Sequence, residues 1–349
     1  MDTKVVYVDE LHIDEEILKE AGKLIQAGQL VAFPTETVYG LGGDAMQADS
    51  SKKIYAAKGR PSDNPLIIHI SEWEDIYRIC KDIPDSAHKL AQAFWPGPLT
   101  MVLKKQDCVP LETTGGLQTV AVRLPSHPVA RAFIRAAGGY VAAPSANVSG
   151  RPSPTLAKYV YEDMQGKIPM IIDSGAVGIG VESTIVDLTE DMPVILRPGY
   201  ITYEMLGQVL DRVEQDVTMM EVHKDVAPKA PGMKYRHYAP KGNLTIVAGA
   251  PEAVAAFINE GCRKTRLAGQ KCGVLCTSET ADRYQADSVK VVGSRADEST
   301  VAQGLYQMLR ECDDEGLEVL FSESFPTEGI GQAIMNRLLK AAGHQFIQL

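Results

Sequence analysis

The chain of 349 residues contains no pair of cysteines spaced C-x-x-C; its six cysteines (Cys80, Cys108, Cys262, Cys272, Cys276 and Cys312) are scattered. Cys272 and Cys276 fall in what reads as a buried strand and its end, so incidental thiols in a reduced compartment are expected. The seven histidines are dispersed and no H-E-x-x-H occurs, which argues against a structural or catalytic zinc. Positive charge is short as well. The 35 Lys and Arg face 45 Asp and Glu, a net charge of −10, which excludes a general basic surface for nucleic acid. No apolar run approaches the roughly 18 residues of a membrane helix, and the opening MDTKVVYVDE has no apolar signal core. A soluble, cytoplasmic protein is expected. No G-x-x-x-x-G-K-[ST] loop appears, so any handling of ATP is not of the P-loop kind, and no G-x-S-x-G elbow announces a serine hydrolase.

What is present is ordinary globular material: 45% hydrophobic and 23% charged residues, in a chain long enough for two domains. The stretch from Phe33 to Ile70 organises the first of them. It opens as a strand, Leu30–Phe33, that runs into FPTETVYGLGGDA with Thr35, Glu36 and Thr37. A short amphipathic spacer follows, and then KGRPSDNPLIIHI, in which Lys58 and Arg60 sit in a Gly/Pro-rich loop before a second apolar strand, Pro65–Ile70. A lysine and an arginine two residues apart can grip one anion from two sides. Polar groups on loops between buried strands are where a rigid scaffold usually carries chemistry.

Along the chain, Asp14 reads as the N-cap of a helix striped by Ile17, Leu18, Ala21, Leu24 and Ile25 that ends near Gly28. Helices are also expected over Pro84–Phe94, His127–Ala137 and Thr202–Leu210. Strands are expected over Leu99–Leu103, Thr119–Leu124, Tyr140–Ala143, Met170–Asp173, Ser183–Leu188 and Val194–Arg197. Strands outnumber helices, so a mixed twisted sheet with helices packed on it is expected over residues 1–212. Residues 213–242 have no steady period and form a linker, longer than the usual connection of about 4–6 residues. Residues 243–349 alternate strand and helix, which predicts a smaller parallel α/β domain of Rossmann-like shape. Its first strand is followed by Ala248-Gly249-Ala250-Pro251, not by G-x-G-x-x-G, so a structural or regulatory role is expected there instead of dinucleotide binding.

The candidate site is a set of polar residues at strand ends: Thr35, Thr37, Lys58, Arg60, His69, Arg123, Ser145, Asn147, Ser183, Thr184 and Arg197. Strand ends on one side of a sheet form the crevice in which such folds bind ligands. Three arginines and a lysine among them imply an anionic ligand carrying several phosphates or carboxylates. Any one of them could be a surface ion pair or a turn residue. The Gly-rich GAVGIGVEST, from Gly175 to Thr184, reads equally as a flexible turn.

Several of these runs resemble one family. PTETVYGLG, Lys58-x-Arg60, Ser145-x-Asn147, ESTIV (Glu182–Val186) and RPG (Arg197–Gly199) are similar to the motifs of the YrdC-type threonylcarbamoyl-AMP synthases. PGMKYRHYAP and the trailing α/β domain look like the long, two-domain form. The resemblance implies a YrdC-like N-terminal domain and the condensation of L-threonine, bicarbonate and ATP into L-threonylcarbamoyladenylate and pyrophosphate, with Mg²⁺ held largely by phosphates and water. The product would pass to the tRNA-threonylcarbamoyl transferase machinery that modifies the adenosine beside the anticodon of ANN-decoding tRNAs. No membrane and no stable direct tRNA contact is implied. By the same resemblance Thr37, His69, Arg123, the Ala143 backbone and Ser183 hold threonine. Arg60, Asn64, Thr119, Ser145, Asn147, Ser153, Arg197, His237 and Tyr238 hold ATP. Lys58 lies with Arg60 by the reacting groups. Independently of the resemblance, Pro231–Pro240 is closed by a proline at each end and concentrates Tyr235, Arg236, His237 and Tyr238, which suggests a lid over the site or, alternatively, an aromatic patch joining the two domains. Two other readings remain open, an RNA-binding translation-associated module and a carbamoyl transferase acting on another acceptor.

Overall fold

The computed structural model describes residues 2–216 and 237–349, and these fall into two compact units. The first takes the chain through Ser149, then Ser153–Gly178 and Glu182 onward; Gly150–Pro152 and Ile179–Val181 cluster with the second, C-terminal unit.

In chain order the first unit comprises β1 (Lys4–Tyr7), α1 (Glu15–Gln26), β2 (Val31–Phe33), β3 (Gly40–Asp44), α2 (Ala48–Lys58), β4 (Ile67–Ile70), α3 (Ile76–Ile79) and β5 (Cys80–Lys81). It continues with α4 (Asp85–Phe94), β6 (Leu99–Lys105), β7 (Thr119–Arg123), α5 (Pro128–Ala136), β8 (Tyr140–Ala142), α6 (Ala157–Met164), β9 (Met170–Asp173), β10 (Thr184–Asp187), β11 (Val194–Arg197), α7 (Tyr203–Gly207) and β12 (Glu214–Gln215). Helix α1 forms as its sequence predicts. The Asp14 carboxylate accepts from the Glu16 and Ile17 amides, which otherwise have no partner at a helix start, and Leu18, Ala21 and Ile25 turn inward.

Among the described residues these strands make one mixed sheet in the order β1-β9-β2-β3-β8-β4-β7-β6-β10-β11-β12, with β5 beside β6. Pairs such as β4/β7 and β6/β10 are parallel; β6/β7 and β10/β11 are antiparallel. Alternation along β2 shows that both faces are covered: Val31 and Phe33 join the cluster under α1 and α5, while Ala32 joins the larger cluster on the other side.

One expectation is corrected. The spacer before Lys58 is an eleven-residue helix, α2, and Lys58 is its last residue, so it does not sit in a loop. The buried positions of α2 include Ser50, Ser51 and Lys58 beside Ile54 and Tyr55, so the inward stripe is half polar and no apolar period shows. Gly59 caps the helix with φ 63°, the left-handed conformation that glycine adopts without Cβ strain.

The second unit comprises β13 (Asn243–Ala248), α8 (Pro251–Leu267), β14 (Cys272–Thr277), β15 (Ser288–Gly293), α9 (Glu298–Asp314), β16 (Val319–Glu323), α10 (Gly329–Ala341) and β17 (Phe346–Gln348). Its five strands are all parallel, in the order β15-β14-β16-β13-β17. The alternating α/β pattern is the one expected. The order places β16 between β13 and β14, unlike the 3-2-1 run of a dinucleotide-binding half.

Candidate active site

Cross-strand register places the key residues of the first unit in one row. His69 on β4 lies beside Arg123 at the end of β7. Arg123 lies beside Thr100 on β6 and Thr100 beside Ile185 on β10; Ile185 meets Arg197 on β11 at an irregularity in the register, so hydrogen bonds and not register bring Arg197 to the row. Register partners project to the same face of a sheet, so polar groups far apart in sequence meet along a single line. Ser183, two residues before Ile185, closes the gap: its Oγ is 2.8 Å from Thr100 Oγ1, and Arg197 Nη2 donates to its carbonyl at 2.9 Å and its Oγ at 3.2 Å. Gly199 explains the glycine of the RPG run, since a Cβ there would stand 2.4 Å from the Thr184 nitrogen.

The PTET turn supplies the other wall. Arg123 Nη1 donates to Thr37 Oγ1 at 2.9 Å, and Arg123 Nη2 is 2.8 Å from Glu36 Oε1. Thr35 Oγ1 lies 2.6 Å from the Val38 carbonyl, which can only accept, so the Thr35 proton is used there. The 2.9 Å contact between the two hydroxyls then runs from Thr37 to Thr35. Thr37 therefore spends its proton on Thr35, takes one from Arg123, and presents its remaining lone pair as an acceptor. The Glu36–Arg123 pair is close but poorly aligned, and Arg123 Nε and Nη2 make no geometrically good hydrogen bond although the side chain is 4% exposed. Buried polar groups left in that state mark a place shaped for something else. Burial alone would raise the Glu36 carboxyl, but the Arg123 charge and hydrogen bonding more than offset it and hold it below the usual carboxylate range. Burial, aided by the Arg123 charge, pushes His69 down to about 3. It is therefore neutral, with Nδ1 at 3.2 Å from the Ile67 carbonyl.

A second cluster sits at the opposite end of the same strands. Thr119 begins β7, four residues or about 13 Å before Arg123. Because Ile67 pairs with Ala121 in parallel, Pro65 runs alongside Thr119. Arg60 reaches this end, donating to the carbonyls of Asn64 at 3.3 Å and Pro65 at 3.0 Å. Lys58 turns elsewhere: its Nζ donates at 2.5 Å to the carbonyls of Ser145 and Asn147, and Ser145 Oγ donates to Asn147 Oδ1 at 2.5 Å. The sequence reading put both cations in one loop. Instead the helix end at Gly59 separates them and each holds a different stretch of backbone. Ala143 connects the two ends, its amide bonded to the Ile67 carbonyl at 2.9 Å.

Thr100 and Glu182 escaped the sequence reading as site members. Thr100 lies inside an apolar strand and only register reveals it, whereas Glu182 opens the ESTIV run and takes the Ser153 hydroxyl at 2.6 Å. Tyr238 was expected on a nucleotide. Its ring is instead 4% exposed and taken up by the second unit, stacked on Tyr306 at 5.2 Å with Arg337 at 5.8 Å from its centre. His237 also groups with the second unit. The remainder of the expected lid, from Pro231 through Arg236, lies outside the described residues.

A mixed twisted sheet with a buried cationic row, joined to a parallel α/β unit, defines a YrdC-type α/β protein in its two-domain form. Residues 23–199 match the Sua5–YciO–YrdC family profile, described as telomere recombination, and residues 201–343 match that of the threonylcarbamoyl-AMP synthase C-terminal domain. The threonylcarbamoyl-AMP synthase of Bacillus subtilis is 47% identical over the whole of both chains. That of Schizosaccharomyces pombe is 40% identical over 90% of this chain and 85% of its own length. The crystal structure of Pyrococcus abyssi Sua5 complexed with L-threonine superposes with a TM-score of 0.94 at 45% identity, covering 99% of each chain. The chain belongs to the threonylcarbamoyl-AMP synthase family, enzymes of nucleotidyl-transfer type.

Proposed function

We propose that this chain condenses L-threonine, bicarbonate and ATP into L-threonylcarbamoyladenylate, pyrophosphate and water, and that the row around Arg123 is its amino-acid site. The observation that carries the reading is the buried guanidinium of Arg123, fixed by Thr37 and Glu36 yet with donors unspent. A carboxylate is the ligand that completes such a fork, two N–H groups to two oxygens. Thr37, held as an acceptor, takes an N–H of the substrate, and Ser183, neutral His69 and the Ala143 backbone close around the side chain. The relative complexed with L-threonine agrees with this choice of substrate.

ATP then belongs with Arg60, Asn64, Thr119, Ser145, Asn147, Ser153 and Arg197. Lys58, at the close of α2, stands by the reacting phosphate. The carbamate of threonine decays in water, so the site must hold it in line with the α-phosphorus of ATP and keep solvent out. Attack by the carbamate oxygen forms the P–O bond, pyrophosphate leaves with the bonding pair, and the buried cations take up the charge that develops. No covalent nucleophile is needed, which suits a site rich in Arg, Lys, Ser and Thr. Among the described residues no group of three or more His, Cys, Asp or Glu could hold a metal. Mg²⁺ would then be held largely by the phosphates and water. The product would serve the threonylcarbamoylation of tRNA by a separate transferase.

The test is pyrophosphate release from ATP with threonine and bicarbonate each supplied or withheld. Release only when both are present supports the assignment; release indifferent to threonine removes it.

A further inference from the structure

The second unit carries a cavity of its own, and topology says why it is there. Going from β13 through α8 to β14 the chain moves one way along the sheet; from β15 through α9 to β16, and from β16 through α10 to β17, it moves the other way. Right-handed crossovers therefore set α8 on one face and α9 and α10 on the other, and α9 packs on α10. The loops leaving the adjacent strands β13 and β16 turn to opposite faces. In open α/β sheets a crevice opens at such a point, outside the carboxyl ends of the strands, and ligands bind there. A cavity of 190 Å³ lies at this position, walled by Val247, Gly249, Pro251 and Val254 on one side and by Thr280, Arg295, Glu323 and Ser324 on the other.

Its chemistry is specific. Glu323 is 3% exposed and accepts from the Tyr284 hydroxyl at 2.6 Å, from Arg295 Nη2 at 2.8 Å and, at the longer distance of 3.5 Å, from Thr277 Oγ1. That leaves a carboxylate lone pair uncommitted. Arg295 Nη2 also holds the Ser324 carbonyl at 3.0 Å, while among the described residues no acceptor takes its Nε or Nη1. The seventeen-residue α8 begins at the cavity wall with Pro251 in its first turn and an Ala250 N-cap that has no capping side chain; its one first-turn carboxylate, Glu252, is paired with Arg283 at 3.0 Å. Val247 and Val254 supply an apolar patch. A pocket below the ~300 Å³ of ordinary cofactor sites is too small for a dinucleotide. A carboxylate and a guanidinium on one small wall repel ligands of a single sign and select one that carries both.

We propose that the second unit binds a free α-amino acid in this cavity, its ammonium on Glu323, its carboxylate on Arg295 and the start of α8, and a small side chain against Val247 and Val254. The site is separate from the row around Arg123 and does not depend on the reaction assigned to that row. Isothermal titration of the full chain with each common amino acid, threonine included, tests it, using Thr37→Val to weaken the first unit and Val254→Phe to fill the second. The expected result is one saturable binding event that Thr37→Val leaves in place, that Val254→Phe abolishes, and that Arg295→Gln weakens at least tenfold. Circular dichroism checks that the variants fold, and if Arg295→Gln does not, Val254→Phe with Val254→Leu decides. Binding lost in Thr37→Val but kept in Val254→Phe, or no amino acid bound at millimolar concentration, overturns the proposal.

Discussion

In the first unit the guanidinium of Arg123 is held from one side, by Thr37 and Glu36, and its other donors face no good acceptor although the group is almost wholly buried. In the second the buried carboxylate of Glu323 is met by both a tyrosine hydroxyl and Arg295, and the charges balance. Burying an ion without full compensation is costly, so a fold keeps such an ion where a ligand will complete it. The first arrangement fits a site that takes an anion and does work on it. The second fits a site that receives a balanced molecule and releases it unchanged.

Arg123→Ala should break this contrast most strongly. It strands the buried Glu36 charge, a loss of about 3–5 kcal/mol, and it should raise the threonine requirement far more than that for ATP. Urea unfolding and steady-state titration of both substrates measure the two effects, and adding Glu36→Gln should recover part of the stability but not the threonine affinity. Equal effects on both substrates would place Arg123 on the phosphates.

Lys58→Ala comes next. The lysine, the last residue of α2, grips the Ser145 and Asn147 carbonyls. Loss of a buried cation beside a reacting phosphate costs about 2–5 kcal/mol, so kcat/KM should fall by roughly 30-fold or more. Far-ultraviolet circular dichroism should stay near that of the unaltered chain. Normal turnover would remove Lys58 from the site.

What could be read from the chain depended on how each element buries itself. Helix α1 and the alternating second unit announce themselves because their inward residues are apolar and regularly spaced. Helix α2 hides because its inward face carries Ser50, Ser51 and Lys58, and β3, with the sequence GLGGD, hides because glycine weakens any strand signal. Of the candidate site, Thr37, Arg123, Ser183 and Arg197 were legible as polar residues near strand ends, and Lys58 and Arg60 as a cationic pair, although Lys58 closes a helix. Their convergence was not, because the row is made by register and hydrogen bonds between strands far apart in sequence. Thr100 is a polar residue in an apolar strand, and nothing local distinguishes it from a tolerated core threonine. The cavity at Glu323 was equally hidden, since it depends on strand order.

His69 gives a smaller, pH-dependent handle on the first unit. Its folded value of about 3 lies below the unfolded value of about 6.5, so the unfolded chain binds the extra proton between them. The sign follows: stability is complete above about pH 6.5 and declines as pH falls, by at most about 1.4 kcal/mol per unit from this group. Burial also depresses His127, which adds in the same direction. Urea midpoints at pH 6.5 and 5.5, above the range where carboxylates titrate, should show the decline, and His69→Gln should reduce it. An unchanged slope would mean that His69 is already solvated.

Tyr284→Phe tests the balanced side of the comparison and should cost less than Arg123→Ala. The hydroxyl donates to Glu323 Oε1 at 2.6 Å, and burial is the main force that pushes its own ionisation up. The ring stays, so no cavity forms, and Arg295 still neutralises the carboxylate through Oε2. The loss is then one hydrogen bond to a charged acceptor, about 1.5–3 kcal/mol. That is below the cost of Arg123→Ala, where a buried charge is left with no counter-ion. The second unit's sheet should keep its cooperative unfolding, seen as an unchanged urea m-value with a lower midpoint. A loss as large as that of Arg123→Ala would show that Arg295 does not compensate Glu323 in solution, and the contrast between the two units would then fail.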